Sequence, residues 1–227
     1  MKRILILAAI LAVSCAKQEE FATISFGVVE EHSITKSTAD DVRATILTKV
    51  PSSVPLTLTR TKTGKTYSVS TGESITLPVG EYSVKGSVTP SSVTNFPRSG
   101  MWAAETASVS INEKVNVVPG TDTYTLTPNF TCFAIALGDD TASFSWTHAN
   151  ATGSATSLMF FGWDNNYELS VTAKPSDYDS REDVRFTFGG TGVQAQNGKF
   201  YILHTEAVTT EEGGFTFNVA TWQEGAL

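Results

Sequence analysis

The chain has 227 residues, a formal net charge of −7 and no cluster of Lys or Arg, a balance that argues against nucleic acid as a partner. Aromatic residues make up 10% and apolar residues 41% of it. That is enough to bury a core, which excludes disorder over most of the length.

The first fourteen residues have the three parts of an export signal. Lys2 and Arg3 form the positive end, Ile4 to Val13 an unbroken apolar run, and Ser14 the small residue a peptidase accepts. The run is about half of the roughly 20 residues a helix needs to cross a bilayer. Cys15 follows Leu11-Ala12-Val13-Ser14 directly. This arrangement resembles the lipobox of bacterial lipoproteins, in which the cysteine thiol receives diacylglycerol and the new amino terminus is acylated. Ala12 stands where leucine is commonest. Two or three acyl chains would hold the protein to a membrane on cellular times. The next residues, Ala16-Lys17-Gln18-Glu19-Glu20, serve as a solvated tether and also resemble the surface-export signal of lipoproteins from Bacteroides-like bacteria. With Cys15 lipidated, Cys132 has no partner for a disulfide. Its apolar surroundings, Thr131 to Leu137, mark it as a small buried hydrophobe.

Beyond the tether, alternation at period two dominates. Ile24, Phe26 and Val28 give a first strand, and residues 31–53, rich in Ser, Thr and Asp, a loop with at most a short ordered piece. Leu56 and Leu58 begin another strand, followed by Tyr67 and Val69. The segment Ile75 to Val88, with Pro78-Val79-Gly80 at its middle, predicts a hairpin. A second hairpin is expected around Asn112-Glu113, between Val109/Ile111 and Val115/Val117, and then a short strand at Tyr124 and Leu126. From Thr131 the strands are denser. Phe133 to Leu137 is contiguous, as suits a strand covered on both faces. Phe144/Trp146, Leu158 to Trp163, Leu169/Val171, Val184/Phe186/Phe188, Tyr201 to His204 and Phe215/Phe217/Val219 follow. The expected class is all-β: an antiparallel β-sandwich, immunoglobulin- or transthyretin-like, in two tandem domains. The expected limits are 1–14 for the signal peptide, 15–21 for the tether, 22–129 for an N-terminal sandwich and 130–227 for a C-terminal one. A single elongated sandwich is the alternative.

Three segments in this order carry a resemblance: Ala22 to Val29 followed by Thr35-Lys36, then Ile75-Thr-Leu-Pro-Val-Gly-Glu-Tyr-Ser-Val84, then Phe96-Pro97 with Gly100 and the stretch Leu126 to Leu137. Over roughly residues 1 to 137 the chain resembles the fimbrillin-like and fimbria-associated surface lipoproteins of Bacteroidales and related families of unknown function. In polymerising members the first strand is removed by cleavage after a basic residue, and a neighbour's strand fills the groove. The resemblance implies that Lys36 holds the processing position and that Phe215 to Trp222 could be a donor strand. A lipidated anchor or tip subunit would instead keep its first strand.

Signals for chemistry are sparse. His32, His148 and His204 lack metal-ligand spacing, and ordinary hydrogen bonds explain the latter two. Gly189, Gly190 and Gly192 precede no helix and read as a turn. The acidic stretch Asp177 to Asp183 lacks the sharp-turn glycine of a calcium loop and reads as a solvated loop. No nucleophile, base or metal constellation is visible, so no enzyme activity and no cofactor are expected. Trp146, alternating with Phe144, belongs to a core. Trp102 and Trp163, beside turns, are the better candidates for ligand contact, although core packing is the default for each. Asp140-Thr141-Ala142 matches a short glycosylation motif of Bacteroides exported proteins, and its use would require Thr141 on an exposed turn.

These features together predict a lipid-anchored, non-catalytic adhesion or fimbria-associated module of the outer membrane, displayed outward. It would be held through lipid on Cys15, with fimbrial subunits or surface glycans as partners. The alternative is a glycan-binding lipoprotein of a polysaccharide-uptake system, which Trp102 and Trp163 exposed on one face would favour.

Overall fold

Alternating residues become strands nearly wherever they occur. The structure, a computed structural model, describes residues 19–28, 38–91, 93–97, 100–176, 183–205, 208–209 and 215–216. In chain order these form β1 (Phe21–Val28), α1 (Thr38–Thr48), β2 (Pro55–Arg60), β3 (Thr66–Ser70), β4 (Ser74–Pro78), β5 (Gly80–Val88), β6 (Thr94–Asn95), β7 (Trp102–Ala104), β8 (Val109–Val117) and β9 (Thr123–Leu126). There follow β10 (Asn129–Phe130), β11 (Phe133–Leu137), β12 (Thr141–His148), β13 (Ala151–Ala155), β14 (Met159–Gly162), β15 (Leu169–Pro175), β16 (Val184–Phe188), β17 (Phe200–Leu203), β18 (Val208–Thr209) and β19 (Phe215–Thr216).

The protein is all-β, with mostly antiparallel sheets packed face to face. The first sheet has the order β4-β1-β9, the second β10-β8-β5-β2-β3, the third β17-β11-β14-β7-β6 and the fourth β13-β12-β15-β16; β18 and β19 form a separate two-stranded ribbon. β1 is the middle strand of its sheet, antiparallel to β4 and parallel to β9. Its inward residues Ala22, Ile24 and Phe26 are buried, as the alternation requires.

Two hydrophobic cores share the third sheet as a common wall. Along β11, Phe133 and Ile135 face one core while Ala134 and Ala136 face the other. Phe160 and Phe161 on β14 divide in the same way, as do Phe200 and Tyr201 on β17. This is why Phe133 to Leu137 is apolar without alternation: neither face meets water. The first core also holds the inward faces of the first two sheets, and the second core holds β12 and β15 with Phe144, Trp146, Leu169 and Val171. Strands from before residue 129, β6 and β7, complete the shared sheet through pairs such as Ala103 with Phe161. The boundary expected at 129 therefore runs through a sheet that both parts of the chain build.

Three local expectations are corrected. Ile75 to Val88 is not a hairpin: β4 pairs with β1, whereas β5 pairs with β2 and β8. Only Val79 separates β4 from β5, fewer than the two loop residues a tight hairpin uses, so the chain crosses between sheets instead. Tyr82 still points into the core, and its hydroxyl donates to the Pro78 carbonyl at 2.7 Å. The second expected hairpin is the single nine-residue strand β8. Val109, Ile111, Glu113, Val115 and Val117 stay in one phase, which a turn at Asn112-Glu113 would have broken. Finally, residues 31–53 contain an eleven-residue helix, α1, rather than a short ordered piece. Ile46 and Leu47 are buried, with Val42 and Val50 packed partly against the same core.

Candidate functional site

Of the residues singled out by sequence, Cys15 and Lys36 lie outside the described residues, as do His32, Trp222 and all of the acidic stretch except Asp183. Thr141 is described and is 6% exposed, with its hydroxyl donating to the Leu203 carbonyl at 2.9 Å. The exposed turn required for glycan attachment is thus absent at this position. The motif is used to fasten strands together. Asp140 accepts from Thr205 N at 2.5 Å on one carboxylate oxygen and faces His204 Nδ1 at 2.9 Å with the other. Its backbone carbonyl takes the Thr205 hydroxyl at 2.7 Å and the Ser176 amide at 2.9 Å. One residue thereby ties the turn before β12 to the ends of β15 and β17.

Trp102 and Trp163 are both partly buried, and they lie on opposite faces of the third sheet. Trp102 pairs with Gly162 across the strands, and its indole occupies the space where a Cβ on Gly162 would come within 2.2 Å of Nε1. It packs on the first core, whereas Trp163, next along the strand from Gly162, packs on the second. Successive side chains on a strand alternate faces, so these two rings do not make one platform. Trp146 lies in the second core, 3% exposed and covering Gly153 in the same manner.

Around Trp163 the structure assembles a cluster that the sequence did not reveal. Its ring meets Phe96 and His148 edge-on, each at 5.1 Å between centroids, and Tyr167 stands 6.1 Å from His148. Trp163 Nε1 donates to the Tyr167 carbonyl at 2.9 Å, and His148 Nδ1 lies 2.7 Å from the Glu168 carbonyl. Asn165 clamps the loop from beneath by exchanging two bonds with the Ala195 backbone, at 2.7 and 2.9 Å. Asp164 Oδ1 accepts from both nitrogens of Asn166, which shapes the tip. The result is a rigid aromatic floor with exposed polar tips at Asn150, Asp164 and Asn166. The half-buried rings of His148, Trp163 and Tyr167, backed by the buried Phe96 where strands end, suit contact with a partner surface. The four rings come from segments as far apart as residues 96 and 167, so no local pattern announces them.

A second arrangement missed by sequence is the pair Arg60–Glu19. Arg60 continues the inward register of Leu56 and Leu58 on β2 and is 9% exposed. A charged residue at an inward strand position was the available signal. Nη1 is ion-paired with Glu19, and Nη2 donates to the Val79 carbonyl at 2.8 Å.

Cys132 is 1% exposed, and its thiol donates to the Ser108 carbonyl while accepting from the Ser108 amide. Burial pushes the thiol pKa from 9.0 up to about 12, which keeps it protonated and inert. Among the described residues, no group of three or more His, Cys, Asp or Glu is placed to hold a metal ion.

No family model matches the chain, and no curated protein matches its sequence. Among solved structures it is similar to a candidate cell adhesion protein from Bacteroides eggerthii DSM 20697, at 10% identity and a TM-score of 0.39, over 81% of this chain and 84% of that one. It is also similar to a candidate cell adhesion protein from Bacteroides uniformis ATCC 8492, at 10% identity and 0.36, over 75% and 91%. A candidate adhesin from Bacteroides ovatus matches at 11% identity and 0.31, over 91% and 96%. Likeness at these scores carries no argument about function, which rests on the chain's own residues.

Proposed function

We propose that the chain is a lipid-anchored outer-membrane protein, displayed at the cell surface, that acts as a non-catalytic adhesion or fimbria-associated module. The observation that supports this is the polarity of the molecule. The tether reaches the fold at the end of the second sheet where Gly80 pairs with Val117. The third sheet is entered at the other end, where Thr131 and Cys132 bond to Ser108 just before β8 begins, and the pairing of Phe133 with Phe161 puts Trp163 at that end as well. Nine residues of β5 separate these ends, or roughly 27 Å of extended chain. A lipid on Cys15 would then hold the Gly80 end near the membrane and turn the opposite end, with the aromatic cluster at Trp163, outward.

The experiment is to compare cells carrying wild-type protein, Cys15→Ser protein and no protein. The wild type should incorporate a labelled fatty acid and be accessible to protease on whole cells. Cys15→Ser should lose the label, and adherence should fall to the level of the deletion strain. Equal adherence by wild-type and deletion strains would overturn the adhesive role, and an unlabelled wild type would overturn the anchor. The glycan-uptake alternative loses the two-tryptophan platform that would have favoured it.

A further inference from the structure

The tethered end of the second sheet carries features that outward display does not require. Arg60 is inward-facing, its side chain 11% exposed, and its Nε is buried without a partner. A buried cation is tolerated only when an opposite charge meets it. Glu19 supplies that charge, and its hydrogen bond holds the guanidinium pKa above the usual value. The guanidinium lies against Gly80, whose φ is +141° and whose Cβ, if present, would sit 3.6 Å from Nε. Beside it, the Glu20 carbonyl accepts from the Val79 amide at 2.8 Å. The chain is therefore fastened to the fold from Glu19 onward. Only residues 16–18 remain between that point and Cys15, a reach of about 14 Å at full extension.

The surface around this clamp differs from the rest. Among the described residues, the large apolar side chains left exposed are Phe21 at 56%, Val118 at 37% and Val193 at 41%. Phe21 and Val118 flank the same crossing between sheets: Phe21 pairs with Pro78, and Val118 follows Val117, which pairs with Gly80. The turn between β2 and β3 lies at this end too, since Thr61 N donates to the Glu81 carbonyl. It carries the exposed Lys62 and Lys65, the latter with Nζ 5.1 Å from the centre of the Tyr67 ring. Of the nearby charges, Arg60 is matched by Glu19 and Lys114 by Glu81 at 3.7 Å, while the exposed Glu20 precedes Phe21 on the tether itself. A chain of net charge −7 thus places two cations and two exposed apolar side chains around the point where its tether leaves.

We propose that Arg60 and Glu19 form a clamp that docks the tether on the fold and seats the rim of Phe21, Lys62, Lys65 and Val118 on the headgroup layer of the membrane. The inference rests on lipid anchoring at Cys15, because that anchor brings the membrane within reach. Phe21 and Val118 enter the interface, and the lysines meet lipid phosphates. The clamp fixes which end of the molecule faces the bilayer, where a free tether would let the body tumble.

The test uses full-length lipidated protein in vesicles of phosphatidylcholine and phosphatidylglycerol that contain a nitroxide headgroup lipid. A fluorophore is attached at Thr63→Cys on the rim or at Asn150→Cys on the distal tip, with Cys132 buried and Cys15 blocked by lipid. Quenching at 63 should exceed that at 150 by about threefold or more. Glu19→Gln, which leaves the core intact, and the pair Phe21→Ser with Val118→Ser should each bring that ratio close to one without loss of vesicle flotation. Equal quenching at the two positions in floating wild-type protein overturns the seated rim and leaves the anchor standing. An unchanged ratio in Glu19→Gln overturns the clamp. Failure of the wild type to float overturns the anchor and the inference together.

Discussion

Cys132 and Ala149 show how single residues take their properties from their surroundings. The Cys132 thiol, pushed up to about 12 by burial, is stabilised in its neutral form by the folded state. Because the folded pKa lies above the unfolded one, this contribution is complete below pH 9 and is lost as the pH rises toward 12. The loss amounts to roughly 4 kcal/mol at most, at 1.36 kcal/mol per unit. Burial also raises the pKa of Tyr82 and Tyr201, which act in the same direction at higher pH. Urea midpoints measured from pH 8 to 11 should therefore fall steeply in the wild type and less steeply in Cys132→Ala; identical slopes would assign the alkaline loss to the tyrosines. Ala149 occupies the two-residue turn between His148 and Ala151 with φ of +52°. A side chain costs about 1 to 2 kcal/mol there, and a glycine costs less even after its larger chain entropy. Ala149→Gly should thus raise stability by about 0.5 to 1 kcal/mol in thermal or chemical denaturation. A destabilised variant would show that the turn is unstrained.

At the scale of elements, α1 and the chain between β4 and β5 show what alternation leaves undecided. Thr38–Thr48 places Val42 and Ile46 four residues apart, a spacing that gives one short apolar stripe among polar residues. Such a stripe is too brief to stand out in sequence, and the helix is held by the core it covers rather than by its own propensity. Ile46 is fully buried, so Ile46→Ala should cost about 2 to 4 kcal/mol. A change within roughly 0.5 kcal/mol, typical of an exposed position, would mean that the segment does not pack. The crossing at Val79 is the complementary case. Both flanks alternate well, but period two reports which side chains face inward and is silent about the partner strand.

For the whole molecule, the decisive feature is that β11, β14 and β17 of the third sheet are buried on both faces. Phe160 looks into one core and Phe161 into the other, so loosening either core loosens the wall of its neighbour. Phe160→Ala and Phe161→Ala should each lower the same calorimetric transition, at a cost of about 3 to 5 kcal/mol. Two separable transitions, with each substitution moving one of them, would establish independent domains. A fragment of residues 130–227 should fail to fold alone, since it lacks β6 and β7 and would expose Ala134, Ala136, Phe160, Phe200 and Ile202.

The sequence alone determined the all-β class, the inward residues of β1, β5 and β12, the double burial of β11 and the inert setting of Cys132. Each of these is fixed by burial along a local stretch, which composition and period record directly. Only the tertiary structure decided that Trp102 and Trp163 face apart, that Thr141 is sealed beneath Leu203 and that four rings converge on Trp163. Strand partners, crossings between sheets and the seat of Glu19 on Arg60 were decided there too. These depend on contacts between residues up to about a hundred positions apart. Their cost in chain entropy is met by the packed whole, and no local segment records it.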